Sequence, residues 1–379
     1  MRSPTIAIHI PDLRGGGAER MMINLANEFA SRGIATDLIL SRIEGPYLSD
    51  VDNAVTVVDL KATRYPGYAA MGAYRPLIKY LKQNRPDTLL SALTRANVVA
   101  LLAHRRAAVD TRIVVSERNH LSSTVQKSGD MRMRVLPLLV RLTYPWSDAI
   151  IPISNGVADD LVETASIERT KLTTIHNPAY DQSIPERMKE QPEHGWFTTE
   201  TNSAETILGV GSLSRQKDFP TLLRAFARVQ KRRDVRLIIL GEGPKRNELE
   251  ALADELDIED SVSLPGFVDN PFSYMARSDV FVLSSEWEGF GNVLVEAMAC
   301  GTPVVSTDCP SGPAEILCDE QYGLLVPIGD YSSLATAIEE TLDNPVESAI
   351  LKQRAKEFSV KKIAKQYLDV LSSNERVRI

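Results

Sequence analysis

The stretch Ser284-Ser285-Glu286-Trp287-Glu288-Gly289-Phe290-Gly291-Asn292-Val293-Leu294-Val295-Glu296-Ala297-Met298-Ala299-Cys300-Gly301-Thr302-Pro303 decides how the chain is read. An apolar, β-branched run at residues 280–284 leads into it, and a second run follows at 303–306. Between them a glycine-rich turn opens a helical stretch at 293–299, so the pattern predicts strand, turn, helix, strand. Two strands joined through a helix lie parallel in one sheet. Glu296 stands among Val, Leu, Ala and Met, where a carboxylate is costly unless hydrogen-bonded, and the vicinal hydroxyls of a sugar would supply the bonds. Glu288 sits eight residues earlier, at the turn, within reach of a bound sugar. Gly291 and Asn292 offer N–H groups at the helix start, which suit a diphosphate. The plainer reading makes Glu288 a helix-start charge and Glu296 part of a solvated face, and it leaves the agreement among these features unexplained.

The same alternation extends over the whole chain. Strands are expected at residues 5–10, 36–40, 55–60, 88–93, 112–116, 149–154 and 172–176, then at 206–210, 236–240, 262–264, 280–284, 303–306 and 324–327. Amphipathic helical stretches separate them. One spans residues 17–31, where Ala18, Met22, Leu25, Ala26 and Phe29 share a face. The fold class is therefore α/β, with two doubly wound parallel-sheet domains over residues 1–182 and 204–360. Residues 183–203 are proline-containing, polar and without period, and read as a linker. The stretch from 361 to 379 opens as a helix with Ile363, Tyr367, Val370 and Leu371 as its apolar stripe.

Three further stretches carry chemistry. Asp12-Leu13-Arg14-Gly15-Gly16-Gly17-Ala18-Glu19-Arg20 follows a strand and opens a helix. It suits either an anion approached closely by backbone or an ordinary tight turn. It is not a GxGxxG fingerprint, and no ribose-binding acid follows at the usual offset, which disfavours a nicotinamide cofactor. Gly209-Val210-Gly211-Ser212-Leu213-Ser214-Arg215-Gln216-Lys217-Asp218 places two cations after a strand, where a diphosphate would bind. Turns also follow strands at Gly241-Glu242-Gly243-Pro244 and at Pro265-Gly266-Phe267-Val268. At the latter, a nucleobase would lie against Phe267 and Val268, although turn chemistry alone explains both.

Composition narrows the classes. Over 379 residues, 43 Lys+Arg against 50 Asp+Glu give a net charge of −7, no basis for a nucleic-acid partner. Cys300, Cys309 and Cys318 are too few for a disulfide framework and lack zinc spacing, so a reducing compartment is expected. No run of eighteen apolar residues predicts a membrane span, and the first residues do not read as a signal peptide. The charge is uneven. Residues 1–182 hold 22 Lys+Arg and 18 Asp+Glu, net +4, and the remainder holds 21 and 32, net −11. Nine cations against three acids fall between Arg95 and Arg141. Residues 131–146 interleave Arg132, Arg134 and Arg141 with apolar residues and end in Tyr144 and Trp146. That composition fits a helix lying at a lipid interface, or a core helix with an arginine face, and Pro137 and Pro145 argue against one continuous helix.

Together these motifs resemble the retaining glycosyltransferases of family 4, whose GT-B fold has two facing Rossmann-like domains. The resemblance covers nearly the whole chain, with the Glu288/Glu296 pair in its apolar setting as the most specific part. It implies transfer of a sugar, hexose or N-acetylhexosamine, from a nucleotide-diphosphate donor, UDP by analogy, to a glycan hydroxyl with retention at the anomeric carbon. It further implies metal-independent chemistry and no cofactor. Glu296 would hold the ribose and Glu288 the donor sugar, with Arg215 and Lys217 on the diphosphate. Many relatives place arginine directly after the glycine where this chain has Ser212, so the phosphate role passes to those two cations. His120, near where relatives often have a histidine, would reach the exocyclic hydroxyl of the sugar or be an ordinary loop histidine. Donor contacts are expected from Gly16, Gly17, Phe267, Val268, Phe290, Gly291, Asn292, Val293 and Glu296. The last helix would pack back on the first, acceptor-binding domain. Residues 307–316 resemble enzymes that extend lipid-linked or exopolysaccharide glycans. A polyprenyl-linked acceptor and a cytoplasmic enzyme, peripheral on an anionic membrane face, follow as expectations. A same-fold epimerase and a non-catalytic nucleotide-sugar binder are the rival readings.

Overall fold

The computed structural model describes residues 5–14, 16–63, 69–127, 131–197 and 204–372. The chain divides into two compact units: residues 1–178 together with 360–379, and residues 179–359.

The first unit carries β1 (Thr5–Ile10), β2 (Ala35–Leu40), β3 (Val55–Asp59), β4 (Thr88–Ala92), β5 (Arg112–Glu117) and β6 (Ala149–Pro152). All pair in parallel, in the order β3-β2-β1-β4-β5-β6. Alternate residues feed cores on opposite faces of this sheet. Ala7, Leu89, Ile113 and Val115 join one, while Ile6, Ile8, Leu90 and Val114 join the other. Helices cover both faces, which is why these strands are nearly continuous apolar runs. Residues 172–176, expected as a seventh strand, run along the sheet edge beside β6: an isolated bridge joins Leu172 to Ile150, and Thr173 N and Ile175 N donate to Ile150 O and Pro152 O, each at 3.0 Å.

The helix Val360–Ser372 closes the second of those cores, burying Ile363, Ala364, Tyr367 and Leu371. It belongs to the first unit although the whole of the second, residues 179–359, intervenes. Its anchors are polar as well as apolar: Thr88 Oγ1 donates to Leu371 O at 3.1 Å, and the Tyr367 and Ser116 hydroxyls lie 3.3 Å apart. Residues 373–379 lie outside the described residues.

The second unit carries β7 (Glu205–Val210), β8 (Val235–Leu240), β9 (Val262–Gly266), β10 (Val280–Leu283), β11 (Val304–Thr307) and β12 (Leu324–Val326). These too are all parallel, in the order β12-β11-β10-β7-β8-β9. The stretch expected as a linker is instead part of this unit. Ile184–Arg187 is a short helix, Arg187 Nη2 donates to Asp269 O at 2.6 Å, and the Phe197 ring meets Tyr274 edge-on at 5.7 Å. Proline at its start and one turn of length give it no readable period. Residues 198–203 of that stretch lie outside the described residues. The unit's two ends are adjacent, Tyr180 N donating to Phe358 O at 3.0 Å.

In each sheet the strand order reverses where the first strand meets the fourth, between β1 and β4 and between β7 and β10. Loops leaving the carboxyl ends of those strands diverge, and the crevice they leave is where open parallel sheets take ligands.

The burial of Tyr367 gives the first prediction. Tyr367→Ala should lower the stability of the first unit by about 3–5 kcal/mol, and Tyr367→Phe by about 1 kcal/mol. Urea unfolding followed by circular dichroism measures both, and near-equal losses would contradict the packing assigned to this ring.

Candidate active site

In the second unit, the loop after β7 and the loop after β10 meet. Gly211 leaves room for Lys217 to fold back along the loop, since a Cβ at 211 would stand 2.9 Å from Lys217 Cε. Arg215–Lys217 forms one 3-10 turn, and Asp218 starts the next helix, Phe219–Val229, with φ +43°. Lys217 Nζ donates to Glu288 Oε1 at 2.5 Å, and Ser285 Oγ donates to the same oxygen at 2.7 Å. Only 15% of the Lys217 side chain and 9% of the Glu288 side chain is exposed. The backbones are tied around this pair. Glu286 N donates to Gln216 O at 2.8 Å, Gln216 Nε2 to Trp287 O at 2.9 Å, and Ser284 Oγ to Lys217 O at 2.7 Å. Cys309 lies close enough that burial first, then the Glu288 charge, pushes its thiol well above its ordinary range.

Arg215 is the other cation of this loop, mostly exposed, with Nε 3.6 Å from Glu286 Oε1. Gly291 caps the helix Asn292–Cys300 at φ +94°, a conformation that favours glycine, and no side chain caps the helix start. Asn292, Val293 and Glu296 form the partly exposed side of this helix, and Leu294, Val295, Ala297 and Met298 are buried. Glu296 therefore stands at the edge of the apolar surroundings that the sequence suggested. Phe290 is 2% exposed, and its ring packs edge-on against Phe358, 5.4 Å between centroids. Phe267 is the opposite case. It is 76% exposed at the end of β9, with Val268 half-buried beside it.

In the first unit, the loop after β1 leads through Gly16 into the helix Gly17–Ser31, again without a side-chain cap. Gly15 lies outside the described residues. Asp12 accepts from Arg14 N at 3.2 Å and from Arg14 Nε at 2.8 Å, which fixes the loop's entry. At the end of β5, Glu117 is fully buried. Its carboxylate accepts from Tyr144 Oη at 2.6 Å, Thr94 Oγ1 at 2.8 Å, and the N–H groups of Arg118 and Asn119 at 3.0 and 3.2 Å. Burial raises its pKa, and those four donors oppose the rise. The loop so held presents His120. His120 Nδ1 is 3.5 Å from Asp160 Oδ2 and within 3.2 Å of the Ser122 and Ser123 hydroxyls, which leaves Nε2 without a hydrogen bond among the described residues. His9, by contrast, is sealed on β1 between Ser91 and Ser41, and burial lowers its pKa to about 4.

Sequence reading did not single out Ser285, Glu117, Arg118 or Asp160. A charged pair directly after an apolar strand marked Glu117 and Arg118, whereas Asp160 is 40 residues from His120 and has no local sign. Among the described residues no three His, Cys, Asp or Glu side chains converge as metal ligands. A cavity of about 610 Å³ in the first unit lies at the amino ends of β1, β4 and β5, away from these loops.

Comparison with known proteins agrees with this arrangement. Residues 15–180 match the family model described as Glycosyltransferase Family 4, and residues 191–358 match that of Glycosyl transferases group 1. The chain is 34% identical to N-acetylgalactosamine-N,N'-diacetylbacillosaminyl-diphospho-undecaprenol 4-alpha-N-acetylgalactosaminyltransferase of Campylobacter jejuni, across 97% of this chain and 99% of that protein. It is 29% identical to the lipopolysaccharide core biosynthesis glycosyltransferase LpsE of Rhizobium meliloti, over 95% and 97%. Among solved structures, Anabaena HepE in complex with UDP-glucose aligns with a TM-score of 0.79 at 22% identity, over 97% of this chain and 99% of that one. Two parallel six-stranded sheets, the loops at their carboxyl ends and these full-length matches make the chain a member of glycosyltransferase family 4, with the two-domain α/β GT-B fold.

Proposed function

We propose that this glycosyltransferase moves a hexose or N-acetylhexosamine from UDP to a hydroxyl of a glycan carried on a polyprenyl diphosphate, with retention at the anomeric carbon. The observation that carries the reading is the Lys217–Glu288 pair at the point where the second sheet reverses its strand order. A cation and a carboxylate held together there answer the two halves of a nucleotide sugar. The incoming diphosphate, with the larger charge, draws the Lys217 ammonium, and the released Glu288 accepts the sugar's hydroxyls. Arg215 and the N–H groups at Gly291 and Asn292 add to the phosphate side. Phe267 and Val268 offer an apolar wall for the base, and Glu296 takes the ribose hydroxyls. In the first unit, Gly16, Gly17 and His120 Nε2 stand at the carboxyl ends of β1 and β5, the edge at which an open parallel sheet takes its own ligand.

The reaction breaks the bond between C1 and the diphosphate oxygen and forms one between C1 and the acceptor oxygen on the same face. The acceptor's proton passes to the departing phosphate oxygen. Charge accumulates on that diphosphate, so Lys217 and Arg215 stabilise the transition state more than the ground state. The named acceptors of the Campylobacter relative, a diphospho-undecaprenol saccharide, support a lipid-linked acceptor for this chain.

Labelled UDP-hexoses and UDP-N-acetylhexosamines, offered with polyprenyl-diphosphate-linked saccharides, test this directly. Transfer with an α-linked product from an α-donor is the expected result. An isomerised sugar nucleotide without transfer would establish the epimerase reading, and binding without turnover the sensor reading. Lys217→Ala and Glu288→Ala should each lower kcat/KM about 10²–10³-fold. Turnover intact in both would remove the site assignment.

A lipid-linked acceptor requires a membrane face, and an exposed apolar patch of the first unit supports that reading. The helix Leu136–Thr143 buries Leu136, Val140 and Thr143 and turns Leu138 and Leu142 outward, 54% and 55% exposed. Val135 and Trp146 extend that face, Arg134 and Arg141 flank it, and the Arg105 guanidinium lies over the Trp146 ring at 4.4 Å. The side chains of Lys127, Met131 and Arg132 and all of Asp130, also part of the basic stretch, lie outside the described residues. No helix among the described residues is long and apolar enough to cross a membrane. Apolar side chains ringed by arginines suit the inner, anionic face of the cytoplasmic membrane instead. In flotation with phosphatidylglycerol vesicles at low salt, the wild type should float and Leu138→Glu/Leu142→Glu should sediment. Each of Arg134→Ala and Arg141→Ala should weaken binding about fivefold, from about 1 kcal/mol per cation. Equal flotation of all variants, or none by the folded wild type, would dismiss the membrane face.

A further inference from the structure

Arg118 has a bonding capacity that nothing above uses. The residue is 4% exposed, and Nη2 donates to Asn177 Oδ1 at 2.6 Å. Nε and Nη1 are buried with no hydrogen-bond partner among the described residues. Leaving two N–H groups of a buried guanidinium unmet is costly, and such groups ordinarily find a partner. Burial lowers the Arg118 pKa; the Tyr367 hydroxyl, which hydrogen-bonds the guanidinium, opposes this most, ahead of the charges of Glu19 and Glu117. Glu117 already accepts four hydrogen bonds. Glu19 does not: it stands on the first turn of the helix Gly17–Ser31 and folds back over Gly16, where a Cβ would lie 2.2 Å from its Oε2. Its partial burial raises its pKa, with Asp12 adding to the rise and Arg118 and Arg14 opposing it.

The charge balance selects the ligand. Asp12, Glu19 and Glu117 stand against Arg14 and Arg118, so an entering phosphate would meet a locally negative surface. A saccharide brings no charge and needs what is present, N–H donors beside a carboxylate acceptor. Resting on the transfer reaction proposed above, we infer that Arg118 and Glu19 form a subsite for the acceptor sugar in the first unit. Arg118 Nε and Nη1 donate to a hydroxyl or N-acetyl oxygen, and Glu19 moves off Gly16 to accept from a neighbouring hydroxyl. Asn177 holds the guanidinium in place.

Saturation-transfer NMR on the full chain, with UDP present, tests this using methyl α-galactoside, methyl α-glucoside and their N-acetylamino counterparts. At least one glycoside should bind the wild type, at least tenfold more weakly to Arg118→Gln, and more weakly to Glu19→Gln, a partly exposed position that should not disturb folding. UDP affinity should stay within twofold in both variants, which separates this subsite from the donor reading: loss of UDP binding by the wild type would defeat that reading instead. Glycoside binding unchanged in both variants, or no glycoside bound by a wild type that binds UDP, overturns the subsite. Displacement of the glycoside by inorganic pyrophosphate in an Arg118-dependent manner also overturns it, in favour of an anion site.

Discussion

An ammonium and a carboxylate that have both left water hold the second unit's chemistry together. Removing one partner of such a pair strands the other as an uncompensated buried charge, so each residue fixes the identity of its partner. The 71 residues between Lys217 and Glu288 are brought together only because β10 lies beside β7 in the sheet. Parallel pairing in turn requires helical crossovers, and crossovers put every catalytic loop at one edge. Ser285 and the backbone ties from Gln216 fill the remaining bonding positions, which makes the pair tolerable in the absence of ligand. In the proposed reaction a diphosphate would exchange one ionic partner for another instead of binding to a bare charge, so the cost of desolvating Lys217 would be met once, during folding.

The first unit solves a related problem differently. Glu117 is buried as deeply as any residue of the strand it ends, yet four donors from three separate segments converge on it. Tyr144 comes from the turn after the basic helix and Thr94 from the start of the helix after β4, so one carboxylate locks the loop carrying Arg118, Asn119 and His120 to its neighbours. That rigid floor is what allows Arg118 to keep unused N–H groups without collapsing onto another acceptor. The helix Val360–Ser372 reinforces it from the other face through Tyr367 and Ser116.

Periodicity disclosed the twelve paired strands because strands covered on both faces are continuous apolar runs. It pointed to the loops at the carboxyl ends because glycine, cations and acids stand directly after such runs. What it missed has a common physical cause: contacts made at long range or by backbone. Asp160 meets His120 across a helix packing that no local pattern encodes. The short helix Ile184–Arg187 is held by bonds to Asp269 and Asn270, not by an apolar stripe, and so resembled a linker. The core role of the Phe290 ring had no local sign either, because its partner Phe358 is 68 residues away. Residues 172–176 are β-branched enough to be a strand, but they lie along the sheet's edge and pair at a single bridge.

Net charge illustrates how far an average stands from a site. The acidic second half places Lys217 and Arg215 where a diphosphate would sit, and spends its acids on surface pairs such as Arg246 with Glu242 and Glu250. In the basic first half, the charges of Glu19 and Glu117 both act on Arg118, so its surroundings are acidic. The cationic excess of that half lies instead on the outer face with Arg134 and Arg141. Screening over about 8–10 Å keeps these regions electrostatically separate at physiological salt. On the readings proposed above, a surface that attracts anionic lipid and an interior that takes an uncharged sugar would therefore occupy the same unit without opposing one another.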